Sequence, residues 1–308
     1  KERKTVEFAH LHVHTEYSLL DGSNKINEYV ARVKELGMNS AAITDHGVMF
    51  GCIDFYKAAR AAGIKPILGC EVYVAPGSRF DKETGHSDDR YYHLVLLAEN
   101  NQGYQNLMKL VSKGFIDGFY YKPRVDLELL QKYHEGIIAL SACLAGEVAR
   151  NLVRSMYEEA KSAALRYEKI FGKENFFLEL QDHGLPQQKL VNQQLLRISQ
   201  ETGIDLAATN DIHYTYAEDA QAHDILRCVQ TGKRLQDEDR MRYEGGQYYV
   251  KSPQEMEELF PYALEALSNT QKIADRCNVE IEFGVTKLPK FDVPAPYNSW
   301  EYLNKLCY

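Results

Sequence analysis

Seven short apolar runs, most of them followed by a stretch with helical spacing, constrain this chain more than any single motif does. The runs are the opening segment through HLHVHT, SAAIT (40–44), residues 66–74, YYHLVLLA (91–98), GIIALSA (136–142), NFFLEL (175–180) and IDLAAT (204–209). Between the first two, Ile26, Tyr29, Val30, Val33 and Leu36 keep a helical period, with Ser23 or Asn24 as cap and Gly37 as stop. Further helices are expected near 50–62, around Tyr104, Leu107, Met108 and Val111, near 126–134, over a long stretch of 145–170, and over 187–201. Strands alternating with helices predict a parallel α/β sheet, doubly wound or closed. A seven-stranded (β/α)7 barrel is the expectation. SRFDKETGHSDDR (78–90), polar and glycine-bearing, reads as a mobile surface loop near the barrel mouth.

At 308 residues with 44% hydrophobic content, the chain suits one large barrel or two ordinary domains. It holds no run of eighteen apolar residues, and its start, KERKTVEFAH, is too polar for a signal peptide. The expectation is a cytoplasmic protein with no membrane partner. Six cysteines without a C-x-x-C pair fit a reducing compartment and no disulfides. A formal charge of −8 speaks against broad electrostatic gripping of nucleic acid, and fits carboxylates that bound cations neutralise.

The unusual polar residues follow the runs one after another. In HLHVHT, residues two apart in a strand share a face, so His10, His12 and His14 are expected on one side, about 7 Å apart along the backbone. Asp21 lies in the loop beyond. Asp45 and His46 follow SAAIT, Glu71 follows KPILGC, His93 lies within YYHLVLLA, Cys143 follows GIIALSA, and Asp211 and His213 follow IDLAAT. In a parallel barrel the carboxyl ends of the strands build the active face. Imidazole, thiolate and carboxylate together suit zinc, with manganese or iron as the other occupants. The donors are too many for one ion and would serve two or three, an arrangement that clamps the attacking and leaving oxygens of a phosphate ester.

HLHVHT, TDHG, SAC and NDIH resemble the four motifs of the polymerase and histidinol phosphatase (PHP) superfamily. More narrowly, HLHVHTEYSLLDG, FYYKPRVDLELL, LSACLAGEV and TNDIHY resemble the amino-terminal PHP domain of bacterial replicative polymerases of the DNA polymerase III alpha class, over about residues 5–285. The resemblance implies a distorted seven-stranded barrel and three divalent metal ions. It places His12, His14, Glu71 and Asp211 on one ion, Glu71, His93 and Cys143 on a second with Glu71 bridging, and Asp21, His46 and His213 on a third. Asp21 and Cys143 stand where the phosphatase branch usually has histidine, as in the polymerase branch. Residues 286–308 resemble the link into a polymerase palm, so the sequence reads as a truncation without a polymerase active site of its own. The implied partners are a DNA 3′ end, the rest of the polymerase polypeptide and other replisome subunits.

Other readings stand beside these. His10 is either structural or placed behind the ligands, whereas His86, His134, His183 and His223 read as surface or structural residues. Asp45 is expected to bond a ligand's free ring nitrogen rather than a metal. Lys122 and Arg124 in YYKPRVD suit a substrate phosphate, or are charges flanking a helix. The paired tyrosines Tyr120 and Tyr121, and Tyr248 and Tyr249, suggest base stacking or plain packing. The implied reaction is 3′-5′ proofreading hydrolysis by a metal-activated water near Glu71 and Asp211. The rivals are a phosphomonoesterase or pyrophosphatase, and a metal-stiffened structural domain that docks partners.

Overall fold

The computed structural model describes residues 6–83 and 90–308. Its regular strands are β1 (Ser40–Ile43), β2 (Lys65–Val74), β3 (Tyr92–Ala98), β4 (Arg124–Val125), β5 (Ile137–Leu140), β6 (Phe176–Leu180) and β7 (Leu206–Ala208). They form one curled sheet in the order β1-β2-β3-β5-β6-β7, with the short β4 beside β2. The opening segment spans the gap between the two ends of this sheet. His10 pairs with Ala41 of β1 and Val13 with Ile212 beyond β7, and the His14 amide donates to the Ile212 carbonyl at 2.7 Å. The result is a distorted α/β barrel.

The sheet is not wholly parallel. β3 runs antiparallel to both β2 and β5. A parallel return requires a crossover, usually a helix. The described part of the connection from β2 to β3 contains no helix, so the chain turns back along its neighbour. Residues 84–89 of that connection, His86 among them, lie outside the described residues.

The helices lie around the sheet: α1 (Ile26–Glu35), α2 (Cys52–Ala62), α3 (Asn101–Ile116), α4 (Leu127–Lys132), α5 (Glu147–Val153), α6 (Tyr157–Phe171), α7 (Pro186–Thr202), α8 (Ala220–Thr231), α9 (Pro253–Leu259), α10 (Leu264–Arg276) and α11 (Ser299–Cys307). The single helix expected over 145–170 is two, because the chain turns at Ser155, whose φ is +60°. None of the described helices is long and apolar enough to cross a membrane. All six cysteines are free thiols.

Two buried clusters follow from strand alternation. Outward residues such as Leu68, Cys70, Leu94, Leu96, Ile137 and Leu178 pack under the helices. Inward residues, including Ala42, Ile67, Val95, Leu97, Ile138, Leu140, Phe177 and Ala207, fill the barrel with Ile273, Ala274 and Cys277 at the end of α10. The inward series continues upward through Glu71 on β2, Glu179 on β6 and His93 on β3. Because β3 descends, its first residues, not its last, stand at the mouth with His93 among them.

Candidate metal centre

The histidines of HLHVHT do not share one face. Ala9 and Leu11 point into the barrel, but the chain bends at His12 and Val13 then packs in the outer cluster. The period of two slips between Leu11 and His12, as at a bulge. His12 and His14 therefore turn inward, while His10 faces away and sets Nε2 2.7 Å from the Lys251 carbonyl. Burial lowers His10 to about 4, so it is a neutral structural ring.

Glu71 stands at the centre of the cluster with 1% of its surface exposed. Its Oε1 lies 2.7 Å from His93 Nδ1 and 3.5 Å from His12 Nε2. Its Oε2 lies 2.7 Å from His46 Nδ1 and 3.2 Å from His14 Nε2. Asp211 Oδ1 is 3.2 Å from both His12 Nε2 and His14 Nε2. Asp21 Oδ2 is 3.1 Å from His46 Nε2. The ring of His213 sits 4.4 Å from that of His14, and Cys143 Sγ is 3.7 Å from His93 Nδ1 and 4.0 Å from Glu71 Oε1. All nine candidate ligands thus meet at one end of the barrel.

Donor atoms gather most tightly in three groups, each within 4.8 Å: His12, His14 and Glu71; His46, Glu71 and His93; His14, His46 and His213. These groups overlap the partition that the resemblance implies. Glu71, His93 and Cys143 also lie within 4.0 Å of one another, with His46 on the other oxygen of Glu71, and His46 shares a group with His213 while its Nε2 lies 3.1 Å from Asp21 Oδ2.

The donor set fits divalent cations. Glu71 Oε2, Asp211 Oδ1 and both ring nitrogens of His46 are buried and lack well-aligned hydrogen bonds, yet each lies 2.7–3.2 Å from a histidine nitrogen or carboxylate oxygen of the cluster. Donors that crowd together without aligning on one another are arranged as for a shared cation. Burial disfavours every charge here, yet the groups hold one another charged. Burial alone would lower His12, but Asp211, Glu179 and Glu71 outweigh it and raise that ring well above its usual range. Against the same penalty, Glu71 and Asp21 raise His46 to about 10. Burial likewise opposes ionisation of Glu71, but His93, His46 and His12 hold it well below the carboxylate range. Burial keeps His213 neutral, lowered to about 3. Burial, then Glu71 and Asp211, push the Cys143 thiol far up, so a thiolate there requires a cation beside it.

Several supporting residues were not legible as such in the sequence. Glu179 Oε1 lies 2.6 Å from His12 Nδ1 and accepts from Gln181 Nε2 at 2.8 Å. With Nδ1 held by that carboxylate, Nε2 is the nitrogen that would face a cation once the ring gives up its second proton. The only hint was one acid in the apolar run NFFLEL. Asp45 acts on His14 rather than on its neighbour His46. It accepts from the Ser18 hydroxyl at 2.7 Å, and Ser18 Oγ lies 3.1 Å from His14 Nδ1. Arg227, on a helix the sequence patterning left unread, donates to Asp21 Oδ1 at 2.6 Å.

Turn geometry contributes as well. Leu19, Ala142 and Asp211 have φ of +55°, +63° and +44°, left-handed values that non-glycine residues hold at a cost of about 1–3 kcal/mol. Ala142 precedes Cys143, Leu19 lies two residues before Asp21, and Asp211 is itself a candidate ligand. Gly47, at φ +64°, follows His46 where a Cβ would stand 2.8 Å from the Tyr73 ring.

The remaining expectations divide. Arg124 is fully buried, its guanidinium donating to the carbonyls of Gly118, Arg90, Arg79 and Asp81 at 2.6–3.3 Å. Those bonds take four of its five N–H donors and, with its burial, withdraw it from phosphate binding. Lys122 is half-buried, with Nζ 5.4 Å from the centre of the Tyr73 ring, which lies 5.3 Å from the ring of His93. His183 and His223 are buried supports, with Nε2 2.8 Å from the Asn210 and Asp21 carbonyls respectively. His134 is a surface residue, its Nδ1 2.7 Å from the Gln131 carbonyl. Tyr248 stacks on His183 at 3.7 Å, Tyr249 donates to Glu255 at 2.7 Å, Tyr120 packs near the Arg124 guanidinium, and the exposed Tyr121 is covered by the Arg90 guanidinium.

The fold and the cluster define a class: a curled α/β barrel whose mouth gathers imidazoles, carboxylates and a thiol around a central bridging glutamate. Residues 10–183 match the family described as PHP domain, more than half of the chain, and the chain belongs to that family. It is 46% identical over 297 residues to DNA polymerase III subunit alpha of Treponema pallidum, covering 96% of this chain and 25% of that protein. To DNA polymerase III subunit alpha of Borreliella burgdorferi it is 46% identical over 301 residues, covering 97% and 26%. The chain spans about a quarter of the length of these curated relatives. Among solved structures, an amidohydrolase from Chromobacterium violaceum aligns with a TM-score of 0.44 at 14% identity, over 67% of this chain and 87% of that one. That likeness is too loose to carry an argument.

Proposed function

We propose that this chain is the metal-dependent phosphoesterase unit of a bacterial replicative polymerase and that it removes nucleotides from a DNA 3′ end. Residues 1–285 form that unit in this reading, and residues 286–308 lead towards the polymerase palm. The observation that carries it is Glu71, a single buried carboxylate shared by two donor groups, each of its oxygens within 3.5 Å of one histidine from either group. Two or three divalent ions, zinc above manganese or iron, would supply a hydroxide nucleophile at neutral pH and offset the charge of a phosphoester. Glu71 would be shared between ions, with Asp211, His12, His14, His46, His93, Cys143, Asp21 and His213 as the remaining ligands. Glu179 holds His12 in its binding tautomer, and Ser18 with Asp45 does the same for His14. Lys122, beside Tyr73, is the cation placed to hold a substrate phosphate. The net negative charge suits a domain whose duplex is held by the rest of the polymerase, with other replisome subunits as further partners.

The test uses the 308-residue chain with zinc or manganese on four substrates: single-stranded DNA, mismatched primer-template, p-nitrophenyl phosphate and pyrophosphate. Stepwise loss of 3′ nucleotides by the parent and not by Asp211→Asn is the expected result. Turnover of the monoester or of pyrophosphate alone would reassign the substrate. Retained metal and raised thermal stability with no product from any of the four would make the centre structural.

A further inference from the structure

Tyr243, in the segment between α8 and α9, plays no part in the ligand set, yet its hydroxyl lies 3.2 Å from His213 Nε2. His213 Nδ1 lies 2.8 Å from the Asp211 carbonyl. A carbonyl only accepts, so Nδ1 carries the proton and Nε2 the lone pair. Tyr243 is therefore the donor in its bond to His213. Its ring is held in place by the edge of Tyr248 at 4.7 Å, the His213 ring at 4.6 Å and the Arg227 guanidinium at 5.1 Å.

One lone pair cannot serve two partners. His213 joins His14 and His46 in one of the three donor groups, and with Nδ1 committed it can bind a cation only through Nε2. A cation held there takes the acceptor that Tyr243 uses. The phenol, half-buried and pinned by its neighbours, then has a free O–H beside that cation, and an unmade bond at such a group is costly. The Arg227 guanidinium is directed elsewhere, Nη1 to Asp21 and Gln230 and Nη2 to Met241. Lys122 stands beside Tyr73, near His46 and His93.

We propose that Tyr243 is a substrate-contacting residue: when a cation occupies His213 Nε2, the Tyr243 hydroxyl transfers its hydrogen bond to a non-bridging oxygen of the phosphoryl group. The inference rests on the phosphoesterase reading and adds the residue that recognises the phosphoryl group at the His213 edge. No covalent step is assigned to the phenol, which keeps its proton throughout.

The test compares the 308-residue parent with Tyr243→Phe, which keeps the ring and removes only the donor. Both are loaded with manganese, their metal content is measured, and inorganic phosphate is titrated by calorimetry. The expected result is an unchanged metal-to-protein ratio with phosphate affinity lowered about tenfold, the scale of one lost hydrogen bond to a charged acceptor. In a second measurement, manganese is titrated into metal-free protein without phosphate. Tyr243→Phe is expected to bind its weakest ion at least as tightly as the parent, since the competing phenol is gone. Equal phosphate affinity in parent and variant overturns the inference and leaves the phosphoesterase reading standing. A variant that loses an ion overturns it too, by making the phenol part of the metal site. A metal-loaded parent that binds no phosphate defeats the phosphoesterase reading itself, and this inference with it.

Discussion

On β2, Ile67 and Glu71 point into the same barrel four residues apart, the first in a dry apolar layer and the second among eight other candidate ligands. β3 makes the same change between Leu97 and His93, and β6 between Phe177 and Glu179. The lower layer is held by burial, which needs no partner and no particular geometry. The upper layer buries charge, which is unfavourable unless the charges are matched. One set of strands therefore carries a floor that stabilises the fold and a mouth whose stability depends on what binds there. The difference separates stability from function by height within the barrel.

The comparison is broken most forcefully from below. Leu97→Ala empties a fully buried position in the floor and is expected to cost about 2–5 kcal/mol in denaturant unfolding, with the metal-to-protein ratio unchanged. Loss of metal at the same time would show that floor and mouth are not separable.

In the mouth, Glu179→Gln is expected to do the reverse. It leaves the packing in place but removes the carboxylate that sets the His12 tautomer. Metal affinity should fall about 10–100-fold, the usual scale for a group behind a ligand, a loss that Leu97→Ala is expected not to show. Unaltered affinity would make Glu179 a bystander.

A gentler probe is pH. In the metal-free protein His46, raised to about 10 by Glu71 and Asp21 against burial, contributes stability that is present below its unfolded value near 6.5 and is lost as pH rises through about 10. A cation must displace that proton. Apparent metal affinity should therefore rise with pH between 6 and 8, by about tenfold per unit for each proton released. A flat profile would mean that His46 binds no metal.

Much of this architecture was legible in the sequence, for reasons that differ by region. The strands announced themselves because buried runs such as SAAIT and GIIALSA admit few alternatives, and the candidate ligands because His, Asp, Glu and Cys at successive strand ends gather at one rim of a barrel. The reversal of β3 was not legible, since it depends on how the connection from β2 returns rather than on any residue within the strand. His10 misled because perfect alternation in HLHVHT conceals a bend that only packing imposes. Arg124 misled because a guanidinium suits a phosphate and a ring of carbonyls equally well, and burial decides between them. The roles of Arg227 and Tyr243 rest on contacts between residues over 200 or 30 positions apart, which no local pattern carries.

The most direct measurement is anomalous diffraction from crystals of the metal-loaded chain, counting the ions and recording which side chains touch each one. At least two ions are expected in the barrel mouth, both in contact with the Glu71 carboxylate. A single ion, or several with none in contact with Glu71, would contradict that expectation.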